Sequence, residues 1–197
     1  MGTNEKLLEI LKNSMFENVS SLSINRRQFL SMAAVTVASL SLPAISGASA
    51  NSSALSFYHT HTGKKLDISY GRPGLYDQQA LGEINDFLKD FRTGEVYPID
   101  PTLLDILCSI REELGGNGTF EVISGYRSFK TNQQLRNKSS KVAKRSMHML
   151  GKAIDIRMTG VSTKKLQKCA LGMQCGGVGF YGKSNFVHID TGRVRFW

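Results

Sequence analysis

Residues 51–197 predict an α+β fold in which a mainly antiparallel sheet packs against helices. Three observations lead there. Apolar residues recur at helical spacing in some segments and alternate in others. The two kinds of segment do not follow each other in the regular order of a parallel α/β sheet. The stretch is also long enough to bury one modest core.

Leu55–Thr60 and Lys65–Ser69 flank a turn containing Gly63 and read as a hairpin. Asp77 is placed to cap a helix whose apolar residues Ala80, Leu81, Ile84, Phe87, Leu88 and Phe91 recur at helical spacing. Asp100-Pro101 is a second helix start, a cap followed by proline in the first turn. Leu103, Leu104, Ile106, Leu107 and Ile110 continue that helix, and Gly115-Gly116 stops it. Phe120–Ser124 reads as a short strand and Phe129–Asn137 as a polar helix. Within Ala153–Met158, Ile154, Ile156 and Met158 point one way and Ala153, Asp155 and Arg157 the other. Ser162–Gly172 is a further helix, Gly176–Tyr181 and Phe186–Asp190 are strands, and Arg193–Trp197 is an edge strand.

Residues 1–50 read as an export signal and 51–197 as the working domain. From Gln28 to Gly63 there is no Asp, Glu, Lys or Arg. Asn25-Arg26-Arg27-Gln28-Phe29-Leu30 resembles a twin-arginine signal, and Ala48-Ser49-Ala50 offers small residues for cleavage after Ala50. Pro43, Gly47 and the serines between them and Phe29 weaken the alternative of a membrane-spanning anchor. The expected location is therefore the periplasm, with no stable membrane span after cleavage.

The net charge of +9 belongs to that domain: residues 1–50 carry four Lys/Arg against three Glu, and 51–197 carry 21 against 13 acids. Nucleic acid, anionic lipid and anionic wall polymer are the partners such a charge attracts. Seven Lys/Arg and no acid lie between Arg127 and Arg145. No nucleic-acid-binding motif accompanies them, and Tyr126 and Phe129 are the only aromatics nearby, so no nucleic-acid partner is expected. Three cysteines are too few for a disulfide scaffold or a four-thiolate metal site. Cys169 and Cys175 are six apart, and an oxidising compartment permits a disulfide that spacing alone does not establish. Cys108 reads as a small buried hydrophobe.

His148, Asp155 and His188 are the chemical candidates. Gly151 allows a turn between His148 and the strand carrying Asp155, and alternation sets Phe186, His188 and Asp190 on one strand face. Two adjacent strands could present Asp155 and His188 to one metal, with His148 reaching in from the turn. Zinc in a hydrolase wants three N or O ligands and an open position for water. On spacing alone, a hydrogen-bonded histidine with a structural salt bridge is an equal reading. His59-Thr60-His61 could also share a metal, but sits beside a turn and reads as turn or surface histidines.

Ser146-Met147-His148-Met149-Leu150-Gly151-Lys152-Ala153-Ile154-Asp155 matches a pattern of Ser, His, Gly, Ala and Asp at fixed offsets. It resembles the first metal-binding motif of the zinc D-Ala-D-Ala peptidases and their murein endopeptidase relatives. Ser124-Gly125-Tyr126-Arg127-Ser128 and Gly177–Tyr181 with Phe186–Asp190 resemble two further segments of that family. The likeness runs from His61-Thr62-Gly63 to Arg193–Trp197 and is strongest to the twin-arginine-exported murein endopeptidases. The resemblance implies a hedgehog/D-Ala-D-Ala-peptidase-like fold, one zinc ion held by His148, Asp155 and His188, peptidoglycan as substrate and a monomer. It implies hydrolysis of peptide cross-links by a metal-bound water. The alternatives are a D,D-carboxypeptidase that trims stem peptides and a non-catalytic zinc-containing wall-binding module. Arg127 resembles the family's arginine near the substrate and would bind a carboxylate or stabilise an oxyanion. Ser146 would orient substrate or bond the turn backbone. Relatives carry a Glu or His base two or three residues before the last ligand, where this chain has Asn185 and Phe186. Asp190 is the replacement expected as base, the alternative being a support that fixes His188.

Overall fold

A computed structural model describes residues 53–140 and 142–197. The expected export signal lies outside the described residues. Eight strands form one sheet: β1 (Ser53–His59), β2 (Lys65–Arg72), β3 (Leu75–Tyr76), β4 (Phe120–Ser124), β5 (Ala153–Met158), β6 (Gly177–Tyr181), β7 (Phe186–Asp190) and β8 (Arg195–Phe196). Four helices accompany them: α1 (Gln78–Phe87), α2 (Pro101–Glu113), α3 (Phe129–Lys138) and α4 (Thr163–Met173). The α+β class is as expected, and most helix starts follow their caps. Asp77 accepts from the Gln79 and Ala80 amides, Asp100 from Thr102, Ser128 from Thr131 and Ser162 from Lys165.

The sheet order is β3-β2-β1-β4-β5-β7-β6-β8. Most neighbours are antiparallel, but β1 with β4 and β6 with β8 are parallel, so the sheet is mixed. The β1–β4 pairing needs a long crossover, and the intervening α1 and α2 supply it. Two elements were not expected: the two-residue β3, and a 3₁₀ turn at Met147–Leu150.

The core lies on one face of the sheet. Leu103, Leu104, Leu107 and Ile110 of α2 and Leu166 of α4 are fully buried, as are Leu55, Phe57, Phe120, Val122, Ile154, Ile156 and Val187 from the strands. In β5 the expected alternation holds, with Ile154 and Ile156 in the core and Asp155 on the opposite face. That opposite face carries the polar site.

Candidate active site

Sheet register assembles the site. Ser124 of β4 pairs with Asp155 of β5, Asp155 with His188 of β7, and His188 with Gly179 of β6. Directly paired residues present side chains to the same face at short range, so these four form one row across the sheet. His148 joins the row from the 3₁₀ turn. Gly151 ends that turn in the left-handed region, at φ 65°, where a Cβ would run into the Pro98 carbonyl. Its amide and that of Arg127 both donate to the His148 carbonyl, at 3.3 and 3.2 Å.

Three ligand-type atoms converge. His148 Nε2 lies 3.2 Å from Asp155 Oδ1 and 3.2 Å from His188 Nδ1, and His188 Nδ1 lies 2.8 Å from Asp155 Oδ1. All three residues are buried. The far side of each ring is engaged too. His148 Nδ1 is 2.8 Å from the Gly125 carbonyl, which can only accept, so Nδ1 carries the proton. His188 Nε2 is 3.0 Å from Asp190 Oδ2 and is fixed likewise as a donor. Two ring nitrogens and a carboxylate oxygen thus converge on one point, where a cation would take the place of the proton that otherwise joins His188 Nδ1 to Asp155 Oδ1. The donor set of two imidazoles and one carboxylate fits zinc, and the outer carbonyl and carboxylate fit the usual supports of metal-ligating histidines.

Charge follows the same geometry. Burial pushes the Asp155 carboxyl up, but the charges and hydrogen bonds of His148 and His188 outweigh it and hold it well below the usual carboxylate range. Burial pulls His188 down, yet its hydrogen bonds to Asp155 and Asp190 lift it to about 9. His148 is lowered, mainly by burial, against the pull of Asp155.

Arg127 and Ser146, expected at the substrate, both line the cleft above this cluster, which has a volume of about 540 Å³. Arg127 is 9 % exposed, and its Nη2 donates to Asp155 Oδ2 at 3.4 Å and to Ser124 Oγ at 3.3 Å. Its Nε is buried without a partner, an orphan donor beside the cleft. The Ser146 side chain makes no capping bond to the turn. Arg145 and Arg195 also border the cleft, so part of the basic run does adjoin the site.

Asp190 sits on the expected strand face but behind His188, not beside the reacting space. It is fully buried and accepts from Arg195 at 2.7 and 3.0 Å and from the Gly177 and Gly192 amides at 3.3 and 2.8 Å, besides bonding His188. A carboxylate so engaged has no free lone pair turned toward the cleft. The geometry matches the alternative, a support for His188. Asn185 does not replace it: its Oδ1 accepts from Thr163, and Phe186 stacks on Tyr181.

Sequence reasoning missed Tyr181, Arg195 and Trp197 as parts of the cleft wall. The alternation of Arg195 and Trp197 on a terminal strand was the available signal. His59 also departs from expectation. It is 1 % exposed under Phe87 and Phe91 of the α1 region rather than on the surface, and it lies outside the cluster. The three cysteines are unpaired.

A mixed sheet with a His–Asp–His cluster on its polar face is the arrangement that the resemblance to the zinc D-Ala-D-Ala peptidases and their murein endopeptidase relatives implies. The family model described as peptidoglycan L,D-endopeptidase MepK matches residues 47–197, and the chain belongs to that family. The peptidoglycan L,D-endopeptidase MepK of Escherichia coli K12 is 38% identical over 176 residues, covering 88% of this chain and 97% of its own. A probable peptidoglycan L,D-endopeptidase MepK of Haemophilus influenzae is 40% identical over 144 residues, covering 73% and 77%.

Proposed function

We propose that the protein is a zinc-dependent endopeptidase that hydrolyses L,D peptide cross-links of peptidoglycan, of which the diaminopimelate–diaminopimelate link is the substrate we assign. The observation that carries this is the convergence of His148 Nε2, Asp155 Oδ1 and His188 Nδ1, each ring locked from behind. The relatives' names supply the choice of L,D over D,D bonds.

His148, Asp155 and His188 would hold one zinc ion. Zinc supplies a Lewis acid and a nucleophile at neutral pH. The rest is work for the chain's own residues. The Gly125 carbonyl and Asp190 keep both imidazoles in the ligating tautomer. Arg127 restrains the second oxygen of Asp155, and its orphan Nε is available to a substrate carboxylate or carbonyl. Arg127, Arg145 and Arg195 set a positive rim against the free carboxylates of stem peptides. Ser146 is positioned to bond the bound peptide.

The chain is expected to reach the periplasm through the Asn25–Leu30 twin-arginine signal, to lose residues 1–50 and to act as a monomer. No helix among the described residues is long and apolar enough to cross a membrane. The test is digestion of purified sacculi followed by muropeptide separation, with and without a chelator. Loss of cross-linked dimers that the chelator prevents supports the reading. Sedimentation with sacculi and no cleavage would replace it with a wall-binding module, and trimmed monomers with a carboxypeptidase.

A further inference from the structure

The cleft contains a hydroxyl donor that the ligand cluster does not use. Tyr181 lies on β6 two residues beyond Gly179, the residue paired with His188, and so on the same sheet face. Its ring stacks on Phe186, with centroids 4.5 Å apart at 14°. Trp197 covers Gly179, where any Cβ would come within 2.6 Å of the indole, and its ring lies 5.3 Å from that of His188. The Trp197 Nε1 is 3.0 Å from the Tyr181 hydroxyl oxygen.

An indole N–H can only donate, so the phenol oxygen is the acceptor in that bond and its own O–H must point elsewhere. The bond from Trp197 is the one hydrogen bond the Tyr181 hydroxyl makes among the described residues, and Tyr181 lines the cleft that Arg127, His148 and His188 also line. Among the described residues, Asp155 is the only carboxylate lining that cleft, and it is already occupied by His148, His188 and Arg127. We propose that Tyr181, aimed by the Trp197 indole N–H, is a catalytic residue that donates a hydrogen bond to the scissile carbonyl oxygen as that oxygen gains negative charge. The inference rests on the endopeptidase reading. The phenol keeps its proton throughout. Water adds across the amide, its hydroxyl to the carbonyl carbon and its remaining proton to the departing nitrogen, while the oxygen gains and then returns an electron pair. A preorganised donor at such an oxygen typically contributes about 10²–10³-fold in turnover.

The test uses zinc-loaded wild type, Tyr181→Phe, which keeps the stacked ring, and Trp197→Phe, which removes the aiming N–H. Each is assayed on a defined diaminopimelate–diaminopimelate dimer. A phosphinate analogue of that dimer, with a tetrahedral anionic oxygen in place of the attacked carbonyl, is titrated calorimetrically. The expected result for Tyr181→Phe is a fall in kcat of about 10²-fold, KM within about threefold of wild type, and phosphinate affinity weakened by about the same 10²-fold. Trp197→Phe is expected to show the same kcat-weighted pattern, smaller in size. Wild-type kcat and phosphinate affinity in Tyr181→Phe, or a loss confined to KM, overturns the proposal while the endopeptidase reading stands. If wild type leaves the dimer intact, the endopeptidase reading falls. The phosphinate titration then decides Tyr181 by itself: weaker binding in Tyr181→Phe upholds the contact, and equal binding overturns it.

Discussion

At the scale of single residues, Asp190 sits on the strand face that alternation predicts, yet its carboxylate is engaged from behind. Alternation correctly puts it beside His188, but alternation carries no information about what lies behind a strand. Arg195, two residues from the end of the chain, closes on both Asp190 oxygens and, with the Gly177 and Gly192 amides, occupies the carboxylate. Asp190→Asn should therefore act through the metal. The amide can still accept from His188, but it loses the charge and opposes Arg195 with its own N–H. Zinc affinity is expected to fall by about 10–100-fold, and activity to return when zinc is raised. Competition against a chromophoric chelator measures this, and unchanged affinity with lost turnover would restore the role of base. The residues of the His–Asp–His cluster were legible because each belongs to a local pattern: a turn with Gly151, an alternating strand, a second alternating strand. Tyr181 and Trp197 were not, because their contact joins strands whose adjacency depends on the order of the whole sheet.

At the scale of elements, the site depends on how four strands line up. The row Ser124–Asp155–His188–Gly179 puts a glycine where a side chain would displace Trp197. Gly179→Ala sets a methyl 2.6–2.8 Å from three indole atoms, so the ring must shift. Overpacking of this kind costs about 1–3 kcal/mol. The thermal midpoint should fall accordingly, and the emission of Trp197, the only tryptophan, should change. Unaltered emission would mean that the indole does not rest on β6. Helix starts were the most readable elements where a cap acts within its own three residues, as at Asp77 and Asp100. The parallel pairing of β1 with β4 was unreadable for the converse reason, since it is decided by a crossover through two helices.

At the scale of the whole molecule, the cluster sits on the polar face of a sheet whose other face holds the core, so stability and chemistry draw on different residues. His59 belongs to the stability side. Burial, reinforced by the neighbouring His61 charge, lowers it from 6.5 to about 4. Between those values the unfolded chain takes up a proton that folded His59 refuses, so this contribution to stability is complete above about pH 6.5 and is lost as pH falls toward 4. Urea unfolding at pH 7 and pH 4.5 should show that loss, and His59→Phe, which suits the Phe87 and Phe91 surroundings, should reduce it by up to about 3 kcal/mol. An identical pH dependence in the variant would show that His59 is solvated.

The central claim, a zinc peptidase selective for L,D cross-links, is tested most directly by incubating the zinc-loaded protein with two defined dimers, one joined diaminopimelate to diaminopimelate and one joined D-Ala to diaminopimelate. The expected result is conversion of the first to two monomeric stems while the second persists, with both intact after His188→Ala. Cleavage of the D-Ala-linked dimer alone, or equal cleavage by wild type and His188→Ala, would contradict it.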